Sequence, residues 1–249
     1  METFIRGTVL KKMGWIILLC FIVINCTECQ GENFSDHFTS QNPGWNWSYS
    51  AGTGYHICPM SIDGLSDTIC EIGTTAETTD QEYSDCALFE RATSHNSPDV
   101  FETRLKCTGN NELGTKGWGF FDGSLERPNA VWFCYAGPSS ADEFKGFRAL
   151  IFLNGKVVFG QLITEYSMDE WHTYRIERYR NGAEFFIDNT SIAKYRGSMP
   201  DKSMILDIWT DNFIVKTGLK LSYAKITQAQ KIYIDWVHWR QLKKIRGKT

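Results

Sequence analysis

Short alternations of apolar and polar residues, separated by turn residues, run through the chain after residue 30, and no long stretch there has helical periodicity. Residues 101–107 and 171–178 alternate in this way. Two Asn-Gly pairs, at 154–155 and 181–182, each separate a pair of strand-like runs, which is a strong hairpin signal. Residues 231–239 form the last candidate strand. The pattern predicts an all-β domain with antiparallel pairing.

The first thirty residues have a different pattern. An apolar run at 13–24 follows three basic residues, Arg6, Lys11 and Lys12, and polar residues come after the run. The run is shorter than the roughly 20 residues that a membrane-spanning helix needs, and it fits the apolar part of a secretory signal. We therefore divide the chain into a signal peptide or membrane anchor at 1–29 and one domain at 30–249. A lipoprotein acylated at Cys26 is a third alternative. All three alternatives predict a secreted or cell-surface protein. The protein meets the membrane only through its N-terminal segment, if that segment is not cleaved.

Composition excludes one class of partner. The formal net charge of −3 provides no basic field for nucleic acid. A chain of 249 residues is compatible with a single all-β domain. Nine tryptophans are unusually many, and they require either a large aromatic core or an aromatic binding surface.

Five of the eight cysteines lie after the leader: Cys58, Cys70, Cys86, Cys107 and Cys134. They form no Cys-x-x-Cys pair, and no histidine stands at zinc-like spacing, so a structural zinc site is not expected. Two disulfides would suit an oxidising compartment, and Cys58–Cys70, which brackets a glycine-containing loop, is our first hypothesis. Cys134 could pair with Cys107, pack as a small buried side chain, or act as a reactive thiol.

Five segments, taken in order, resemble glycoside hydrolase family 16 of the concanavalin A-like lectin/glucanase superfamily. They are residues 34–38 with Pro43-Gly-Trp45, residues 101–105, residues 117–122, residues 171–177 with 185–188, and residues 234–237. The resemblance implies a concanavalin A-like jelly-roll β-sandwich of two antiparallel sheets, with a polysaccharide or other glycan held in a concave groove. It also implies a structural calcium ion with Asp235 as a ligand; a solvent-facing strand aspartate is the alternative. No other cofactor is expected.

The catalytic motif of that family is not present in this sequence. Family members carry Glu-x-Asp-x-Glu, in which residues i, i+2 and i+4 share one face of a strand and two carboxylates act on the glycosidic bond. The corresponding positions here are Ala130, Trp132 and Cys134. The sequence therefore favours carbohydrate binding without catalysis. One alternative is a family 16-type hydrolase or transglycosylase with displaced carboxylates, taken from Asp122, Asp211 and Glu102. The other is a structural surface protein without a glycan ligand.

Trp118, Trp132 and Trp209 are the tryptophans predicted to line the concave face, because indole rings stack on the apolar face of a pyranose. Packing within the sandwich core is the alternative for each of them. Asp122, Asp211 and Asn212 are the polar residues predicted to bind sugar hydroxyls, since a few placed polar groups fix the orientation of a ligand. For Asp211 and Asn212 the alternative is a turn, which both residue types favour.

Overall fold

A computed structural model describes residues 33–40, 44–49, 54–61, 68–75, 80, 82–90, 95–109, 113–124, 126–200 and 203–242. The predicted segment at 1–29 lies outside these ranges. Within them, no helix has the length and the apolar character needed to cross a membrane.

Seventeen strands make up almost all of the regular structure in the described ranges. They are β1 (Phe34–Asp36), β2 (Trp45–Tyr49), β3 (Gly54–Ser61), β4 (Thr68–Thr74), β5 (Asp85–Glu90), β6 (Asp99–Thr108), β7 (Thr115–Phe121), β8 (Ala130–Ala136), β9 (Gly146–Leu153), β10 (Lys156–Leu162), β11 (His172–Tyr179), β12 (Gly182–Ile187), β13 (Thr190–Arg196), β14 (Ile205–Asp211), β15 (Phe213–Lys216), β16 (Lys220–Tyr223) and β17 (Gln230–Gln241).

The strands form two large antiparallel sheets and one small hairpin. The eight-stranded sheet has the order β13-β12-β11-β6-β17-β4-β3, with β1 also paired to β17. The seven-stranded sheet has the order β10-β9-β8-β7-β14-β5-β2, and β15 pairs with β16. Both predicted Asn-Gly hairpins are confirmed, as the β9–β10 and β11–β12 connections. At the first of these, Asn154 and Gly155 both have positive φ (49° and 76°), which a type I′ turn requires.

Alternation along the strands places one face of each large sheet in a shared core. From the seven-stranded sheet, Trp118, Phe120 and Phe133 point into it, and Phe101 and Tyr174 meet them from the eight-stranded sheet. All five side chains are essentially inaccessible to solvent. Burying a large apolar side chain contributes about 1.5–3 kcal/mol, so this aromatic centre stabilises the sandwich. The prediction of an all-β jelly-roll sandwich is confirmed.

A buried ion pair ties three strands of the eight-stranded sheet together at one end. Arg178 on β11 donates from Nε to Asp99 Oδ1 (2.8 Å) and from Nη2 to Asp99 Oδ2 (2.6 Å). Arg178 Nη2 also donates to the His95 carbonyl (3.1 Å), and Trp239 Nε1 on β17 donates to Asp99 Oδ2 (3.0 Å). Because both Asp99 oxygens and two of the three Arg178 nitrogens are hydrogen-bonded, the charges are tolerated inside the fold.

The five described cysteines are free thiols. Cys58 and Cys70 lie on the neighbouring strands β3 and β4, and burial together with the nearby Cys58 thiol raises the pKa of Cys70. Cys107 points into the core between the sheets, whereas Cys134 packs on the other side of the seven-stranded sheet. The two thiols are therefore separated by a sheet, which corrects the suggested Cys107–Cys134 pair and leaves Cys134 as a small buried side chain.

Candidate functional site

The candidate site is the outer face of the seven-stranded sheet, the face that points away from the eight-stranded sheet. Its centre is formed by β8, β7 and β14, which lie side by side. Gly117 of β7 stands between Cys134 and Trp209, and Gly119 stands between Trp132 and Asp207. Because neither glycine has a side chain, β7 is the floor of a trough between the two strands beside it.

The two tryptophans of this face meet across the trough. The ring centroids of Trp132 and Trp209 are 4.6 Å apart, and the rings are inclined by 56°. Both side chains are half-buried. Trp209 Nε1 donates to Thr115 Oγ1 (3.2 Å), which fixes the orientation of its indole. The result is an aromatic platform at the middle of the sheet, defined here as Trp132 and Trp209.

A second hydrophobic cluster borders the platform on its β8–β9 side. It consists of Ala130, Cys134, Ala136, Phe144, Leu150 and Phe152, all buried. Phe144 comes from the 137–145 connection, and Val215 packs against the cluster from the β15–β16 hairpin. These two segments are joined by a hydrogen bond from Ala141 N–H to the Val215 carbonyl (2.8 Å). The chain thus covers part of the outer face with its own apolar residues, and the platform lies at the edge of the covered part.

Three carboxyl groups lie on the same face beyond the platform. Asp207 and Asp211 flank Trp209 at alternate positions of β14, and Asp85 of β5 is the cross-strand partner of Asp211. Burial, together with repulsion from the Asp211 and Asp85 carboxylates, raises the pKa of Asp207 to about 8. Burial also raises the pKa of Asp211 to about 7, although hydrogen bonds from Phe213 and Thr115 oppose the shift. Buried carboxyl groups with raised pKa values, near an aromatic surface, are typical of functional sites.

Asp207 is the residue that the sequence reasoning missed. Its side chain accepts no hydrogen bond in the described structure, although the residue is only 7 % exposed. A signal was present in the sequence, because Asp207 and Asp211 are four residues apart on a strand with Trp209 between them. That is the spacing of the outer pair in Glu-x-Asp-x-Glu, displaced to another strand and built from aspartates. A search restricted to the glutamate motif does not find it.

Asp211 and Asn212 lie at the end of β14, where their polar groups serve the fold. Asp211 Oδ1 accepts hydrogen bonds from Thr115 N–H (3.1 Å), Thr115 Oγ1 (2.8 Å) and Phe213 N–H (2.9 Å). Asn212 is 0 % exposed. It accepts from Ser84 N–H (2.9 Å) and donates to the carbonyls of Glu82 (2.9 Å) and Ala224 (3.2 Å). This geometry corrects the placement of Asn212 on an open sugar-binding surface, because its amide is enclosed by backbone groups of two segments, at Glu82 and Ser84 and at Ala224.

Trp118 and Asp122, which were also predicted to bind the ligand, lie on β7 and in the connection that follows it. Trp118 is 0 % exposed and lies in the core, in contact with Phe133 and Tyr174, so its predicted position on the open face is wrong. The reason is the alternation in Gly117-Trp118-Gly119, which puts the glycines on the outer face and the indole on the inner face. Asp122 is half-buried and closes the β7–β8 connection by accepting hydrogen bonds from Ser124 N–H (3.0 Å) and Asn129 Nδ2 (2.7 Å).

Glu102 and Asp235 belong to the other sheet. Glu102 on β6 is the cross-strand partner of Arg175 and His238, so it cannot contribute to the candidate groove. The Asp235 carboxylate on β17 accepts a hydrogen bond from Arg104 Nη1 and forms an ion pair with it. Calcium binds six to eight oxygen ligands, and the described residues bring no three potential metal-ligating side chains together. Since a guanidinium group already neutralises Asp235, these residues do not fit the expected calcium site.

No protein-family model and no curated protein matches this sequence. Solved structures with a similar fold include a β-glucanase of Bacillus licheniformis (13 % identity, TM-score 0.59, covering 86 % of this chain and 100 % of that chain). A lichenase derived from a mouse hindgut metagenome gives 12 % identity, a TM-score of 0.61, and coverage of 84 % and 99 %. A pseudo β-1,3-glucanase of Mycobacterium tuberculosis gives 12 % identity, a TM-score of 0.59, and coverage of 84 % and 98 %. The chain has the concanavalin A-like, family 16-like fold of these proteins.

Proposed function

We propose that this chain is an exported carbohydrate-binding protein that holds a glycan on the aromatic platform without cleaving it. The observation that carries the proposal is the pairing of Trp132 with Trp209 at a centroid distance of 4.6 Å. Trp132 stands at the central position of β8, the strand that by sequence resembles the family 16 catalytic strand. Ala130 and Cys134, which flank it, are both buried and carry no carboxyl group.

The chemistry of the platform suits a pyranose ring. Two half-buried indoles present apolar surface to solvent, and aromatic faces pack against the C–H groups of a sugar. Binding sites of this kind also need a few polar groups to select an orientation. Asp207 is our candidate for this role, because a carboxyl group with a pKa of about 8 is mainly protonated at neutral pH and can donate to a sugar hydroxyl oxygen. The glucanase fold of the solved structures supports a polysaccharide as the ligand.

A hydrolase or transglycosylase with displaced carboxylates is the second candidate. Its supporting observation is the Asp207–Asp211 pair, which lies on one face of β14 and has raised pKa values. In this mechanism Asp207 would be the general acid and Asp211 the ionised partner. The three hydrogen bonds that Asp211 Oδ1 accepts from the fold argue against a nucleophile at that position.

A structural surface protein without a glycan ligand is the third candidate. It is favoured by the second hydrophobic cluster, since Phe144 and Val215 cover part of the outer face with the chain's own residues. Under this interpretation Trp132 and Trp209 complete that cluster and bind nothing.

Calorimetric titration of the purified protein with soluble β-glucans, galactans and mannans distinguishes the three candidate functions. Binding without turnover gives saturable heat that stops after each injection, and Trp132→Ala and Trp209→Ala should each weaken binding at least tenfold. The matched control is Trp171→Ala, because Trp171 lies outside the platform, beside Arg104 of the other sheet. Sustained heat that disappears in Asp207→Asn would establish the hydrolase and overturn our proposal. Absence of heat with every polymer would favour the structural role.

A further inference from the structure

Two histidines from opposite ends of the domain meet on the outer face of the eight-stranded sheet. His37 directly follows β1, and His238 lies on β17. Their Nε2 atoms are 3.3 Å apart, and their ring centroids are 5.2 Å apart with the rings inclined by 64°. Neither the aromatic platform nor the carboxyl groups of the other sheet involve this pair.

The fold holds both imidazoles in place. Asp36, beside His37, accepts hydrogen bonds from Phe38 N–H at Oδ1 (2.7 Å) and from Trp45 Nε1 at Oδ2 (2.7 Å). Phe38 is buried, so the short segment that carries His37 is anchored on both sides. The ring of His238 stacks on Trp236, with a centroid distance of 4.4 Å and an interplanar angle of 19°. The two Nε2 atoms therefore face each other from supported rings and not from free side chains.

The separation of the two nitrogens matches that of two ligands on one metal ion. With metal–nitrogen bonds of about 2.0–2.1 Å and a tetrahedral angle, two imidazole nitrogens lie about 3.3–3.4 Å apart. His37 is exposed and His238 is half-buried. An ion can therefore reach the two Nε2 atoms from solvent.

We propose that His37 and His238 bind a divalent transition-metal ion such as Zn²⁺, Ni²⁺ or Cu²⁺, with solvent completing the coordination. Imidazole selects these ions over Ca²⁺ and Mg²⁺, which prefer oxygen ligands. Glu102 is the cross-strand partner of His238 on β6, but among the described residues no third metal-ligating side chain joins the two histidines.

Titration of the tag-free full chain with Cu²⁺ and with Zn²⁺ tests the site by calorimetry and by electron paramagnetic resonance of the Cu²⁺ form. We expect micromolar binding at one site, nitrogen hyperfine coupling from two imidazoles, and quenching of Trp236 fluorescence by Cu²⁺. His37→Gln and His238→Gln should each weaken binding at least tenfold. The matched control is His56→Gln, since His56 stacks on Trp47 and is not paired with another histidine.

The His37→Gln/His238→Gln double variant keeps the cysteine thiols and lacks both imidazoles. The difference in metal affinity between the wild type and this variant therefore measures binding by the histidine pair alone. Equal Cu²⁺ and Zn²⁺ affinities in the wild type and the double variant would overturn the proposal and identify the pair as a simple hydrogen bond. The same conclusion would follow if Ca²⁺ competed as well as Zn²⁺. The result is independent of glycan binding, because the site lies on the other sheet.

Discussion

Trp209 occupies the space that a side chain at Gly117 would need. A Cβ atom at Gly117 would lie 2.1 Å from Cη2 of the Trp209 indole, far inside van der Waals contact. Trp132 reaches the same trough from the opposite strand. The absence of a side chain at Gly117 therefore makes room for the Trp209 half of the platform.

Gly117→Ala should displace the Trp209 ring from Trp132. Overpacking of this kind costs about 1–3 kcal/mol, and we expect a loss of that size in the free energy of unfolding together with a changed near-ultraviolet circular dichroism spectrum. Gly160→Ala is the control, because the nearest atom to its added Cβ is a Leu150 methyl carbon at 3.3 Å, which can move. An unchanged spectrum and stability in Gly117→Ala would show that the indole does not rest in the trough.

Asp207→Asn should change how stability depends on pH. An unfolded aspartate releases its proton near pH 3.9, whereas burial raises the pKa of Asp207 to about 8 in the fold. Between these values the folded state binds more protons than the unfolded state, so this group lowers stability as pH rises, by at most about 1.4 kcal/mol per pH unit. The free energy of unfolding, measured with denaturant from pH 4 to pH 9, should therefore decline less steeply in Asp207→Asn than in the wild type.

The control for that comparison is Asp142→Asn, since the Asp142 side chain is fully exposed. Its unfolding free energy should follow the wild type at every pH. Parallel curves for Asp207→Asn and the wild type would mean that Asp207 ionises normally in the folded protein, and would remove it as a proton donor in the candidate site.

Asp99→Ala should be among the most destabilising single changes in the chain. Asp99 is 0 % exposed and its partner Arg178 is 2 % exposed, so removing the carboxylate leaves an uncompensated buried charge. Breaking a buried pair in this way costs about 3–5 kcal/mol. Lys194→Ala, which removes a half-exposed ion pair with Glu184, should cost less than about 1 kcal/mol. Urea unfolding measures both, and similar losses would show that the Arg178 network contributes no more than a surface pair.

Mild oxidation should join Cys58 to Cys70 and leave the other described cysteines reduced. Cys58 is the half-buried thiol that an oxidant can reach, and it lies near Cys70 on the neighbouring strand β4. Cys107 is buried, which raises its pKa to about 12, and burial also raises the pKa of Cys134, so neither reacts readily as a thiolate. Peptide mapping after treatment with diamide should find the 58–70 link, and it should be lost in Cys58→Ser. A link through Cys86 would contradict this pairing.

Local patterns predicted some features correctly and others incorrectly for identifiable reasons. The hairpins follow from Asn154-Gly155 and Asn181-Gly182, because the turn residues and the strands they join are adjacent in sequence. The face on which Trp118 lies could not be derived from alternation, since its neighbours are glycines and give no polar or apolar signal. Similarly, only the folded chain brings Ser84 to Asn212, 128 residues away, and that contact decides that the amide is buried.

Strand β17 follows the other sixteen described strands in sequence and lies in the interior of its sheet. Its twelve residues lie between β6 and β4, and they also pair with β1. Without β17, the facing edges of β6 and β4 have no partner, and neither does β1. The eight-stranded sheet therefore cannot be completed before β17 has been synthesised, and removing this strand should leave an aggregating product instead of a smaller stable domain.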